Sequence, residues 1–191
     1  TTGADLAVLA PEVPEQLRQR VAAADPTLDA DVAEWWSRAC QRPRLSVLGP
    51  VRVRVGPTGK PAEAAGRKPF YTELVAYLAT KPEGATTQQL CDAFATTPAR
   101  IQRDVSVVRA WLDCNPENGQ RHLPDAAHSA AIKDGRRRYQ LHDVLYDADL
   151  FRRLRIRGQA RGEQGIDDYL QALRLVTGRP YTDLRPSGGI W

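Results

Sequence analysis

Apolar positions along the chain change period several times, and each change marks an element. Pro14, followed by Leu17 and Val21 four residues apart, reads as the start of a short amphipathic helix over 14–21. A second helix is expected over 29–40, opened by Asp29 and striped with Val32, Trp35, Trp36 and Ala39; Pro43 stops it. Packing this helix onto the following domain is the better use of the paired tryptophans. From Leu45 the period falls to two. Leu45 and Val47, a break at Gly49-Pro50, then Val51, Val53 and Val55 alternating with Arg52 and Arg54 predict two short antiparallel strands. The turn-forming run Gly56-Pro57-Thr58-Gly59 closes them off.

Helical period returns at Pro69, with Phe70, Leu74, Tyr77 and Leu78 on one face, and runs to Lys81-Pro82. Thr86 and Gln89 then have capping-box spacing and predict a short helix that buries Leu90 and Phe94. Thr97-Pro98 is a second start signal, so a third helix, over 99–112, begins a few residues after the second ends. On a wheel of about 100° per residue, Ile101, Val105, Val108 and Leu112 fall within about 60° and form its core face. Ala99, Arg103, Ser106, Val107 and Ala110 lie opposite, with Arg100, Gln102 and Arg109 on the flanks.

Further on, Asp134-Gly135 predicts a two-residue hairpin turn, with Tyr139 and Leu141 sharing one face of the returning strand. Lys133, Arg136, Arg137 and Arg138 crowd its tip. Two more helical patterns follow, over 149–157 and 163–176, with Leu150 and Leu154, then Ile166, Tyr169, Leu170 and Leu173 as apolar positions. A single helix pair cannot bury its outer face alone, so this one must pack on the preceding domain or on further chain. The fold class expected is mainly α with small antiparallel β elements. Three parts are predicted: an N-terminal helical extension (1–43), a central domain (44–143) and a C-terminal helical segment (144–191).

Charge adds to this picture through its placement. The net charge is +4, but residues 1–41 hold three Arg against seven Asp and Glu, whereas 42–82 hold eight Lys and Arg against two Glu. Residues 100–157 hold twelve basic against eight acidic side chains. A chain basic in its middle suits a polyanionic partner. No stretch nears the roughly 18 apolar residues needed to span a bilayer, and the N-terminus lacks the features of a secretory signal, so a cytoplasmic protein without membrane contact is expected. The three cysteines show no C-x-x-C spacing, which fits a reducing compartment, and Cys91 sits on an apolar helix face as a small buried residue. A chain of 191 residues that starts at Thr1 and contains no methionine reads as processed or cut from a longer one.

Chemistry is thinly represented. His122, His128 and His142 are not at ligand spacing and predict no metal site. There is no Gly-rich phosphate loop, nucleophile motif or carboxylate pair tied to a pocket, so neither an enzyme nor a cofactor is expected.

The order strand, strand, three helices, hairpin, helix pair resembles bacterial transcriptional activator domain proteins of the antibiotic-pathway regulator type. In these a winged helix of the response-regulator output type precedes a tetratricopeptide-like activator domain. Residues 45–53, 73–78 and above all 101–112 carry the resemblance, together with Arg138-Tyr139-Gln140-Leu141 and Asp147-Ala148-Asp149-Leu150-Phe151. The N-terminal region and Gly178-Arg179-Pro180-Tyr181 resemble a subgroup in which this module closes a much larger multidomain bacterial protein. The resemblance implies a DNA-binding transcription regulator, with helix 99–112 in the major groove of double-stranded DNA and a basic wing, 132–141, on the backbone or minor groove. The residues it assigns to DNA are Arg100, Gln102, Arg103, Ser106 and Arg109 of the helix and Lys133, Arg136, Arg137 and Arg138 of the wing. Val107 stands where relatives commonly carry a basic residue, and Asp104 adds an acid to a helix meant to approach phosphates; both predict a weaker contact. In such a regulator the helical segment would contact a protein partner or a second protomer; the alternative is a winged-helix module of a larger multidomain bacterial protein that binds protein rather than DNA, with the helical segment and Trp35-Trp36 as its docking surface. No receiver domain with an acidic phosphorylation pocket is present.

Overall fold

A computed structural model describes residue 16, residues 25–127 and residues 135–184. Apart from Gln16, the helix expected over 14–21 lies outside the described residues, and so do Lys133 and Asp134. Helix α1 (Leu28–Trp36) precedes strands β1 (Arg44–Ser46) and β2 (Arg52–Arg54). A short helix α2 (Pro61–Ala64) continues through a 3-10 turn (Ala65–Arg67) into α3 (Lys68–Ala79), followed by α4 (Thr87–Phe94) and α5 (Pro98–Leu112). Strand β3 (Leu145–Tyr146) then leads into α6 (Asp147–Arg161), and a 3-10 turn (Gly162–Gly165) into α7 (Ile166–Leu175). The protein is mainly helical, with one small sheet.

Local signals account for most of these bounds. At the start of α4, the Gln89 amide donates to the Thr86 hydroxyl (3.2 Å) and the Thr86 amide to the Gln89 side-chain oxygen (2.8 Å), the reciprocal capping the sequence predicts. Thr97 is the extended N-cap residue of α5 and Pro98 its first residue, but the threonine hydroxyl makes no capping bond. Helix α1 stops at Trp36, four residues short of the expectation. The Arg44 guanidinium donates to the carbonyls of Trp35 (2.8 Å) and Ser37 (3.0 Å), satisfying the open end of the helix there.

Strands β1 and β2 pair antiparallel as the alternation predicts, with Leu45 opposite Val53. The third strand corrects the expectation of antiparallel β elements alone. β3 lies parallel to β1, Arg44 opposite Leu145, so the sheet is mixed in the order β2-β1-β3. Two residues are too few to display an alternation, and parallel pairing needs a long crossover, here the whole run from β2 through α5.

Two cores result. The larger is built from β1 and β2 (Leu45, Val53), α3 (Phe70, Leu74, Leu78), α4 (Leu90), α5 (Ile101, Val105, Val108, Trp111, Leu112) and the loop residues Leu123 and Tyr139. The smaller joins opposite ends of the described chain. Leu28 and Val32 of α1 pack with Leu150 and Leu154 of α6 and Ala172 and Leu175 of α7, and Trp35 covers them. The tryptophan helix therefore docks on the C-terminal helices rather than on the domain that follows it, and Trp36 stays exposed. Nine residues are too few for a helix to hold by itself in water; burying Leu28 and Val32, roughly 1.5–3 kcal/mol each, is one part of what keeps α1 in place, ion pairs from Arg42 and Arg153 being the other.

Hydrogen bonds stitch the two cores together. The buried Asp147 carboxylate, in the first turn of α6, accepts from the amides of Val47 (2.8 Å) and Leu48 (2.9 Å). The segment after α7 runs along the same stretch, Thr177 N–H donating to Leu48 (2.7 Å), Tyr181 N–H to Val47 (2.8 Å) and Val51 N–H to Thr182 (2.8 Å). Within the helix pair, α6 and the turn into α7 meet backbone to backbone at Gly158 and Gly165. A side chain on Gly165 would run into the Gly158 carbonyl.

Candidate nucleic-acid interface

Only residues 95–97 separate α4 from α5. The reversal is made by Ala95, which closes α4 in the left-handed region (φ 47°), a conformation costing an L-residue on the order of 1 kcal/mol. Leu90 and Cys91 of α4 and Ile101 and Val105 of α5 sink into the larger core and hold the second helix across the first. Burial pushes the Cys91 thiol up, so it remains a protonated packing residue.

Helix α5 is rolled relative to the simple wheel. Trp111 is buried beside the four predicted core residues, and this widens the inward face toward Asp104 and Val107. Asp104, expected to weaken a phosphate contact, is only 3% exposed. Its carboxylate accepts from the Arg67 guanidinium (2.7 Å), the Tyr71 hydroxyl (3.4 Å) and Nε of Arg100 (3.3 Å). Arg67 in turn lies over the Phe70 ring, 4.3 Å from its centroid. Val107, assigned to the outer face, is half-buried against the larger core, so it does not occupy a position from which a side chain would meet a groove.

What remains outward is Ala99, Arg100, Gln102, Arg103 and Ser106, all exposed. Small side chains at Ala99 and Ser106 let the helix backbone come close to a surface, and the arginines and glutamine supply donors that reach beyond it. Arg109 behaves differently from its neighbours. Its guanidinium donates to the carbonyls of Leu123 (2.9 Å) and Pro124 (3.3 Å) and lies 3.7 Å from Asp125, so it ties the loop after α5 to the helix.

The basic hairpin is described in part. Gly135 has φ +67°, as the Asp-Gly turn requires, and Arg136 and Arg137 are exposed. Arg138 folds back toward the Gly84 carbonyl (3.5 Å), its Nε buried without a partner. Tyr139 exchanges both backbone hydrogen bonds with Ala85 (2.8 and 2.9 Å), one residue before the cap of α4. The segment after the turn is thereby attached to the chain entering the helix pair, but by an isolated bridge: among the described residues 135–141 do not form the strand expected there. Arg67 carries no pattern of its own in the sequence, because its role depends on α2 and the 3-10 turn lying beside α5. Its only signal was an Arg-Lys pair just before an aromatic helix start.

Comparison of the chain with protein-family models, curated proteins and solved structures finds no match.

Among the described residues none of those assigned to DNA lines an open groove of about 630 Å³ formed by Leu78, Pro82, Leu141, Val144 and Ala148. Its two carboxylates are engaged, Asp143 with Arg42 (3.3 Å) and Asp149 with Arg152 (2.6 Å). Among the described residues no helix is long and apolar enough to cross a membrane.

Proposed function

We propose that residues 44–143 are a winged helix-turn-helix module that binds duplex DNA as a transcription regulator, α4 and α5 being the helix pair and α5 entering the major groove. One observation carries this. The only acid of α5 is turned inward and held by Arg67 and by Nε of Arg100, and the outward face keeps Gln102, Arg103 and Ser106 exposed, Arg103 giving Nε to the Ala99 carbonyl (3.4 Å) within its own helix. With that acid turned inward, the exposed face of α5 carries arginines, a glutamine and small side chains and no carboxylate, a composition that suits approach to phosphates. Arg136 and Arg137, on a segment that Tyr139 bridges to Ala85 just before α4, supply the wing's backbone or minor-groove contact. Lys133 belongs to the same tip by sequence. Arg109 and Arg138, with their guanidinium groups directed at carbonyls of the protein, shape the module rather than read DNA. The helix pair α6–α7 fits the start of a tetratricopeptide-like activator segment, and such a regulator works in the cytoplasm, where the duplex is.

Fluorescence anisotropy on duplexes selected from a random pool tests this. Arg103→Ala with Arg136→Ala and Arg137→Ala is expected to weaken binding and to reduce the salt slope by about 0.9 for each phosphate no longer neutralised. Unchanged affinity and slope, or no binding by the parent chain at low salt, would overturn it. A protein-binding role for the same chain is favoured by one feature, the exposed apolar face of α7.

A further inference from the structure

Helix α7 turns Asp168, Ala172 and Leu175 toward the body of the protein, where the buried Asp168 pairs with Arg157 (2.7 Å) and Arg161 (3.2 Å). Its other apolar residues face the other way. Ile166, Tyr169, Leu170 and Leu173 are 60, 37, 51 and 61% exposed, and Val176 just past the helix end is exposed as well. At about 100° per residue the four lie within one arc of about 100°, so they form a continuous stripe. Scattered exposed apolar residues are ordinary; a stripe at i, i+3, i+4 and i+7 is the mark of a helix that packs against something.

The charges beside the stripe say what. Asp167 and Arg174 are both exposed and fall on the same flank of it, about 80–100° round from Ile166. They stand two turns apart, about 10 Å along the axis, and cannot reach each other. Among the described residues neither has an ion-pair partner.

We propose that α7 pairs with α7 of a second copy of this chain, antiparallel about a two-fold axis between positions 170 and 171. A two-fold perpendicular to both helices brings a flank onto the same flank of its mate, with the direction reversed. Asp167 then meets the partner's Arg174, and Arg174 the partner's Asp167. The stripe from Ile166 to Val176 is centred near position 171, so the register that pairs the charges also superposes the apolar side chains. Parallel pairing, about a two-fold along the helices, would put the charged flanks on opposite sides of the seam and leave Asp167 and Arg174 without a charge of the partner to meet. This inference is independent of the DNA reading and stands or falls without it.

Sedimentation equilibrium of the 191-residue chain, at concentrations from micromolar upward, tests it. A monomer–dimer equilibrium is expected. Leu170→Glu should abolish the dimer, and Asp167→Arg or Arg174→Asp alone should weaken it roughly tenfold, two attractive pairs becoming repulsive. The double reversal Asp167→Arg with Arg174→Asp should restore it. All three positions are exposed, so circular dichroism should report an unchanged helix content in each variant. A monomer at every concentration, a dimer indifferent to Leu170→Glu, or a double reversal no tighter than the single ones would each overturn the proposal.

Discussion

Asp104 shows how far one residue's meaning depends on what surrounds it. By sequence it is an acid in the middle of a helix meant for phosphates. In the fold it lies on the inner side of α5, its charge matched by Arg67, and the same pairing directs Nε of Arg100 inward. The two views give opposite predictions for Asp104→Asn. An acid facing DNA would, on removal, raise duplex affinity. The buried acid, on removal, leaves charge-assisted hydrogen bonds unmade, and we expect about 1–3 kcal/mol of lost stability in urea denaturation with no gain in affinity. A tighter complex would show that Asp104 faces the ligand after all. Arg67 could not have been found by pattern, because its partner is a turn of chain away in space and thirty-seven positions away in sequence.

Among the elements, those with local signals were the ones legible in advance. The Thr86–Gln89 box and the Pro98 start bracket the helix pair because capping is decided within four residues. The short α2 and β3 escaped, one having a single turn and the other two residues, neither long enough to show a period. Helix α5 was correctly located, but its roll was set by Trp111, which the four-residue core stripe did not include. Arg109 makes that roll testable. Pointed at Leu123 and Pro124, it should hold the loop over 121–127 and take no part in binding. Arg109→Ala is expected to speed amide hydrogen exchange in that loop by about tenfold, the loss of roughly one hydrogen bond, and to leave the salt slope of duplex binding unchanged. A reduced slope would return Arg109 to the interface.

For the whole molecule the decisive contacts are those between its ends. Helix α1 is tied to α6 by Arg153, which pairs with Asp25 (2.6 Å) and Asp31 (2.8 Å), and to the following strand by Arg42, which pairs with Asp31 and Glu34. The bonds from Arg153 hold the Asp25 carboxyl below its ordinary 3.8. Burial pushes Asp31 and Glu34 up, but the arginine contacts outweigh it and both end below 3.8 and 4.5. Carboxylates held low in the folded chain stabilise it fully above their unfolded values and cease to do so as pH falls through the folded ones. Asp147 runs the other way, since burial holds its carboxyl above 3.8, so it does not share in the acid loss. Tryptophan fluorescence, with Trp35 at this contact, should therefore stay constant from about pH 7 to about 5 and change below about pH 4. A signal flat to about pH 3 would mean that the ion pairs do not hold α1.

Sequence alone determined the helix and strand periods, the caps, the basic middle of the chain and the location of α5, because each is settled by neighbours a few residues apart. Which side of a helix turns inward, which ends of the chain meet, and which arginines remain free were decided only by tertiary structure. These depend on partners far apart in sequence: Arg67 for Asp104, the loop carbonyls for Arg109, Val47 and Leu48 for Asp147. In α7 the periodicity was legible and its direction was not, because a buried Asp168–Arg157 pair took the inner face and left the apolar stripe outside.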